Sequence, residues 1–320
     1  MLSVVFATRN RAAMLGRVLG AFARLIPPPC GWHLVVVDNG STDETPGVLA
    51  AYAGRMALTV LSEPRPGKFR ALNRAIPHLS GELTVVTDDD VLPEPDWLVR
   101  LALAAERQTR ANLFGGTILP EWPEPPPSWL RPDAVDFGVL YALLRRPAGA
   151  CDHGGIYGPN MAVRSSVFAA GARFDESIGP NADDPRYPMG GETEFVVRLR
   201  QAGHVAWFVP EACVRHIVRR EQLTEAWILQ RAWRNGLGTG VSYPPDWVLA
   251  SMAGGGGLAR RMAVARAGSV LARGLPASAL RLRLLYRERW LAGMAEAVRR
   301  RAPGRVPVLS GPALAAAHER

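Results

Sequence analysis

The chain has 320 residues but a single lysine, Lys68; the rest of its basic side chains are arginine. That usage resembles a GC-rich bacterial genome, so a formal net charge of +9 says little by itself about partners. Cysteine is scarce as well. Cys30, Cys151 and Cys213 are scattered and odd in number, which excludes a zinc-type spacing and a disulfide framework and favours a reducing compartment. No apolar run reaches the roughly 20 residues that span a bilayer. The start "MLSVVFATRNR" lacks the basic opening and long apolar stretch of a secretory signal, so a cytoplasmic protein is expected. Positive charge suggests nucleic acid, but zinc-finger spacing, an RNP-like aromatic motif and a helix-turn-helix pattern are all missing, and no nucleic-acid partner is expected.

What is present is an ordinary globular composition, 48% hydrophobic and 21% charged, in a chain long enough for one large domain or a domain with an appendage. With 32 glycines and 27 prolines, loops should be numerous. The first half alternates strand-like and helix-like segments. "LSVVFAT" (2–8), "HLVVVDNG" (33–40), "MALTVLSEP" (56–64) and "GELTVVTDDD" (81–90) read as strands. Between them lie helical patterns at 11–25, at 41–54 with Ser41 or Thr42 near the N-cap, and at 68–79. This order predicts a mostly parallel α/β sheet with helices on both faces. Such sheets bind ligands at the carboxyl ends of their strands, where strand order reverses. Thr8, Arg9 and Asn10 end the first strand, Asp38 and Asn39 the second, and Asp88, Asp89 and Asp90 the fourth. The segment 120–136 is too proline-rich for helix or interior strand and reads as a surface crossing loop. From about residue 221 the chain looks helical, with a glycine break at 254–257. The expected division is a catalytic domain over 1–220 and a basic helical extension over 221–320.

Three adjacent carboxylates repel one another. Asp88 and Asp90 are two apart, so in extended chain they share a side. Two hard oxygen donors there suit Mg²⁺ or Mn²⁺, with a nucleotide diphosphate completing the shell.

"VVFATRNR", "LVVVDNGSTDET", "PGKFRALNRAI" and "VVTDDDVLPEPDWL" resemble successive motifs of the family-2 glycosyltransferases with the GT-A fold, a Rossmann-like α/β architecture. "GPNMAVRSSVF", "FDESIG" and "GGETEFVVRLRQAG" resemble that family's acceptor-side segments, and the likeness covers roughly residues 1 to 240. It implies inverting sugar transfer from a nucleotide-sugar donor, with Mn²⁺ or Mg²⁺, to a glycan, lipid-linked or small-molecule hydroxyl acceptor. Asp38 would accept a nucleobase N–H, inclining the donor towards uridine, or would cap the "DNGSTD" turn. Thr8 and Asn10 would line the nucleotide pocket. Arg9 or Arg11 would approach the phosphates, and the loop bearing Lys68 and Arg70 would meet an anion, with Asn73 ordering that loop.

The family commonly carries Gly-Glu-Asp with the aspartate as base. Aligning "GETEF" puts Glu192 at that position and departs by placing Gly191 before it. Glu192 is the expected base, with Glu194 either a second candidate or a helix partner of Arg198. His216 is a candidate third metal ligand, and Asp89 would support the loop or the donor sugar. Gly158 and Asn160 resemble a segment bordering the sugar pocket. Trp97, Trp122, Trp129 and Trp207 fit core or loop packing better than sugar stacking. "RLRLLYRERWLAGMAEAVRRR" (281–301) forms a basic amphipathic helix, packed by its leucines on the domain or docked at the inner face of the membrane. The rival functions are nucleotidyl transfer to a sugar phosphate and a non-catalytic carbohydrate- or membrane-binding module.

Overall fold

The computed structural model describes residues 1–243 and 257–300. Most of the glycine run at 254–257, and the basic tail from Arg301, lie outside them. β1 (Leu2–Thr8), β2 (Trp32–Asp38), β3 (Leu58–Ser62) and β4 (Leu83–Val86) run parallel in the order β3-β2-β1-β4. β1 is therefore where strand order reverses, and its carboxyl end adjoins that of β4. β8 (Met161–Arg164) adds antiparallel beside β4, and β6 (Ala111–Glu121) beside β8. β9 (Val205–Ile217) follows parallel to β6. Along its other edge β9 pairs with β7 (Gly149–Cys151) and then β5 (Val91–Pro93). A register shift near Gly116 and Thr117 lets this long strand serve both.

Side chains alternate along β1, so Val4 and Phe6 enter one core and Val5 the other. The first core takes α1 (Ala12–Phe22) and α4 (Trp97–Arg107); the second takes α3 (Lys68–Ala75) and α7 (Gly191–Gln201). The buried, nearly all-apolar strands follow from that double cover.

α2 (Thr45–Ala53) starts later than Ser41 or Thr42. Asp43 accepts from Thr45 N and also from Ala12 N of α1, so the polar run ties two helix starts together, and Pro46 sits in the first turn. The crossing loop after β6 is not merely superficial. Leu130, Ala134 and Val135 are buried in a third cluster with Tyr141 and Ile228, and Trp122 and Trp129 pack against it. Trp97 is fully buried and Trp207 packs on the first core, as expected of structural tryptophans.

α8 (Glu225–Ser242) is capped by Thr224, whose hydroxyl accepts from Trp227 N. It lies against the Ala279–Arg300 helix along a glycine seam: a Cβ at Gly236 would stand 1.9 Å from the Trp290 carbonyl oxygen. One at Gly293 would stand 2.0 Å from that of Trp233. Leu282, Leu285, Leu291 and Met294 are buried, so the apolar face of this helix faces the protein. Among the described residues, no helix is long and apolar enough to cross a membrane.

Candidate active site

The carboxyl ends of β1 and β4 open into a cavity of about 830 Å³. Thr8, Arg9, Arg11, Lys68, Asp88, Asp89, Asp90, Glu192 and His216 all line it, although they come from both halves of the sequence. Asn10, Asp38 and Arg70 are not among the lining residues. Asn10, in the left-handed region at φ 51°, accepts from Thr42 N and joins the β1 and β2 loops. Asp38 accepts from Ser41 N at 2.9 Å, the local turn cap. Arg70 pairs with Glu176 at 2.9 Å. Asn39 faces the cavity instead, and its amide binds the carbonyls of Glu63 and Arg65 and the N–H of Gly67. It thereby fixes the loop leading to Lys68.

The three aspartates do not share a side. Strand β4 ends at Val86 and the chain turns, which aims each carboxylate at a different partner. Asp88 Oδ1 is 2.5 Å from Lys68 Nζ. Asp89 accepts from the Thr8 hydroxyl at 2.8 Å, across the switch point, and lies 3.6 Å from Arg11. Asp90 Oδ1 is 3.2 Å from His216 Nε2, and Oδ2 is 3.6 Å from Arg219. These cations answer how three adjacent carboxylates coexist.

The charge states follow from the same contacts. Burial, with Asp90 behind it, pushes Asp89 up to about 7 against Arg11 and Thr8. Burial also raises Asp88, aided by Asp90 and Glu192 and opposed by Lys68. Asp90 goes the other way: burial opposes ionisation, but His216, Arg11 and Arg219 hold it well below the carboxylate range.

Glu192 stands in the first turn of α7, after Gly190 in the left-handed region at φ 98°. Its Oε1 is 2.5 Å from Lys68 Nζ, so one ammonium joins Asp88 and Glu192. Against the cost of burial, those two carboxylates hold Lys68 above the usual lysine value. Lys68 in turn outweighs burial at Glu192 and keeps it below the usual glutamate value. Gly191 exists for a close approach, since a Cβ there would meet Phe69 at 2.1 Å. Glu194 is fully buried and pairs with Arg198 at 2.9 Å, the helix-partner alternative.

His216 Nδ1 is 2.6 Å from the Tyr141 carbonyl, to which it donates, and this leaves Nε2 for Asp90. Despite burial, Asp90 and the Tyr141 carbonyl raise its pKa above the ordinary histidine value. Asn160 is fully buried and satisfied by Trp97 Nε1 and the carbonyls of Thr117 and Ala212, so it is structural. Asn73 likewise orders the loop at Phe174 and Glu176.

Three further features complete the site, and of them only Gly158 has a sequence signature. Gly158 lies beneath the base candidate: a Cβ there would be 2.6 Å from Glu192 Oε1. Arg219 Nη1 is a buried donor with no hydrogen-bond acceptor. Finally, Trp227, Arg231, Arg234, Thr239 and Tyr243 carry the cavity wall past residue 220, onto α8 and beyond.

Residues 3–170 match the family described as Glycosyl transferase family 2, which is more than half of the chain. The chain belongs to that family. It is a glycosyltransferase. The family-2 chain is 25% identical over 229 residues to the succinoglycan biosynthesis protein ExoM of Rhizobium meliloti, covering 71% of this chain and 70% of that protein. It is 24% identical over 168 residues to the glucosyl-dolichyl phosphate glucuronosyltransferase of Haloferax volcanii, covering 49% of this chain and 50% of the relative. A PGL/p-HBAD biosynthesis glycosyltransferase of Mycobacterium bovis is 32% identical over 123 residues, 37% of this chain and 47% of that one. The chain thus spans about half the length of the last two.

Among solved structures, it superposes on the mannosyltransferase PcManGT from Pyrobaculum calidifontis, determined with GDP-Man and Mn²⁺. The TM-score is 0.54 at 20% identity, over 96% of this chain and 76% of that one. S. aureus TarS 1-349 with UDP-GlcNAc gives a TM-score of 0.51 at 12% identity, over 93% and 91%. At those identities the likeness is one of fold, the GT-A-like mixed α/β sheet with helices on both faces.

Proposed function

We propose that this glycosyltransferase inverts the anomeric centre as it moves a sugar from a nucleotide-diphosphate donor, UDP-sugar by preference, to an acceptor hydroxyl in bacterial polysaccharide or glycolipid assembly. One observation carries the reading: Glu192 and the Asp88–Asp90 turn, about a hundred residues apart in sequence, face one cavity at the switch point of the sheet. Glu192 takes the proton of the acceptor hydroxyl as its oxygen attacks the anomeric carbon. Its lowered pKa keeps it ionised and ready at neutral pH. Thr8, Arg9, Arg11 and Asn39 shape the nucleotide end, with Asn10, Asp38 and Arg70 bracing the loops that border it. We keep 1–220 as the catalytic unit, with the residues from 221 supplying part of the cavity wall.

The fit of a divalent metal rests on the Asp90–His216 pair. With Nδ1–H given to Tyr141, His216 Nε2 either donates a proton to Asp90 or turns a lone pair towards a cation that the two would share. Among the described residues no group of three or more His, Cys, Asp or Glu side chains is arranged as a metal site. Mg²⁺ and Mn²⁺ need only one or two carboxylates when phosphate oxygens complete the shell. Asp90 and His216 would hold the ion, which when bound neutralises charge on the departing diphosphate, while Asp88, expected as a ligand, is engaged by Lys68 instead. Arg219 Nη1, buried without an acceptor, is placed to donate to a diphosphate oxygen.

Membrane contact is a second element of the reading. The Leu258–Arg273 helix exposes Val264, Val270 and Leu271 beside Arg260, Arg266 and Arg273. That combination suits peripheral docking of a cytoplasmic enzyme on anionic lipid. Phosphatidylglycerol vesicles should retain the protein at low salt, and a Val264→Ser, Leu271→Ser variant should be released.

The deciding experiment is calorimetric titration of UDP, GDP and dTDP, with Mn²⁺ and again with EDTA. Metal-dependent binding of one diphosphate supports the donor site and names the base. Binding that survives EDTA removes the metal, and no binding to any of the three removes the donor assignment.

A further inference from the structure

Each carboxylate that lines the cavity has a cationic partner. Lys68 serves Asp88 and Glu192, Arg11 serves Asp89, His216 and Arg219 serve Asp90, and Arg198 serves Glu194. The converse does not hold on the α8 wall. Arg231 and Arg234 also line the cavity, and among the described residues neither meets a carboxylate.

Their contacts hold them in place without neutralising them. Arg231 donates through Nε to the Val139 carbonyl at 3.3 Å, and its guanidinium lies 5.3 Å from the Trp227 ring centre. Arg234 donates to the Pro185 carbonyl at 3.0 Å and to the Tyr187 hydroxyl at 3.3 Å, and it lies 4.5 Å over the Tyr187 ring. Carbonyls and aromatic faces orient a guanidinium without forming an ion pair with it. Partly buried arginines three residues apart on one helical turn make a fork that a multi-oxygen anion can bridge. Burial presses on Arg231 strongly enough to lower its pKa, a cost that a bound anion would offset.

The placement says which substrate brings the anion. α8 packs against α5 (Phe137–Tyr141), the Ala279–Arg300 helix and the loop just before Glu192, where a Cβ on Gly238 would be 1.8 Å from the Met189 carbonyl. The edge assigned to the donor is built instead by β1 and β4. Arg231 and Glu192 are close enough to feel each other's charge.

We propose that the acceptor carries an oxyanion, a phosphate or a carboxylate, beside its accepting hydroxyl, and that Arg231 and Arg234 bind it. This deepens the transferase reading and rests on Glu192 as the base. The arginines bind and orient the acceptor; they do not touch the reacting bond.

The test uses the full chain and three probes of similar size: hexyl glucoside, hexyl glucuronoside and hexyl glucosyl phosphate. Nucleoside diphosphates are titrated in parallel. The two charged probes should bind at least about tenfold tighter than the neutral one, and their ranking tells carboxylate from phosphate. An Arg231→Gln, Arg234→Gln variant should lose that advantage while keeping nucleotide binding and melting temperature. Arg231→Lys, Arg234→Lys should retain part of it, which guards against a folding defect. Equal or absent binding of all three probes overturns the proposal, as does a preference that survives in the glutamine variant. Loss of nucleotide binding in that variant also overturns it, by assigning the arginines to the donor. If charged probes bind but no nucleoside diphosphate does, the donor reading fails and the oxyanion site stands.

Discussion

Lys68 Nζ lies 2.5 Å from Glu192 Oε1, joining residues 124 positions apart, and lies equally close to Asp88. The ammonium favours the ionised form of the glutamate. Lys68→Met should therefore raise the Glu192 pKa. The acid limb of the kcat/KM profile should move to higher pH by one unit or more, on the order of a lost buried ion pair. An unmoved limb would separate Lys68 from the base.

Glu192 and Glu194 should part company under the same substitution. Glu192→Gln should bind nucleotide normally and lose about 10²–10⁴ in transfer rate, the range of a general base. Glu194→Gln breaks a buried pair with Arg198 and should cost about 1–2 kcal/mol of stability, read by denaturant unfolding, with a smaller effect on transfer. The opposite pattern would make Glu194 the base.

The Lys68 loop contains its own acid-sensitive clamp. Glu63 is buried and accepts from Arg65 through Nε and Nη2 at 2.8 and 2.9 Å, which pulls its pKa down to about 2. A depressed carboxylate contributes stability above its unfolded value and loses it as pH falls through the folded value. Arg65 is largely exposed, so the contribution should be only about 1 kcal/mol. Glu63→Gln should be less stable than wild type at pH 7, with the gap closing between about pH 4.5 and 2. A gap constant with pH would refute the clamp.

Gly158→Ala should separate positioning from stability. Its Cβ would meet the tip of Glu192 at 2.6 Å, and the flexible carboxylate rather than the backbone would give way. Transfer should fall by about tenfold to a hundredfold, with the melting temperature nearly unchanged. Full activity would mean that the Glu192 position tolerates displacement.

Much of this was legible in the sequence because it was local. Apolar runs named β1, β2 and β4, and the polar residues ending them lie at one edge of the sheet. Other features depended on tertiary placement. Asp88 and Asp90 look co-directional only if the strand continues, but it stops at Val86 and the turn disperses them. The Ser41–Asp43 run resembles one helix cap, yet it braces two helix starts. β8 enters antiparallel between β4 and β6, a pairing that no short-range pattern encodes. On α8, Trp227, Arg231 and Arg234 have the spacing of any amphipathic helix. Only the closure of the chain puts that face on a cavity.

The sole ε-amine of this sequence stands inside the candidate cavity, between two carboxylates. Isotopic labelling of lysine alone would thus install one side-chain resonance, with no chemical step at the buried amine. The protein offers a spectroscopic window on its own chemistry without any engineered tag. Each candidate donor, metal or acceptor could be watched arriving through a single peak.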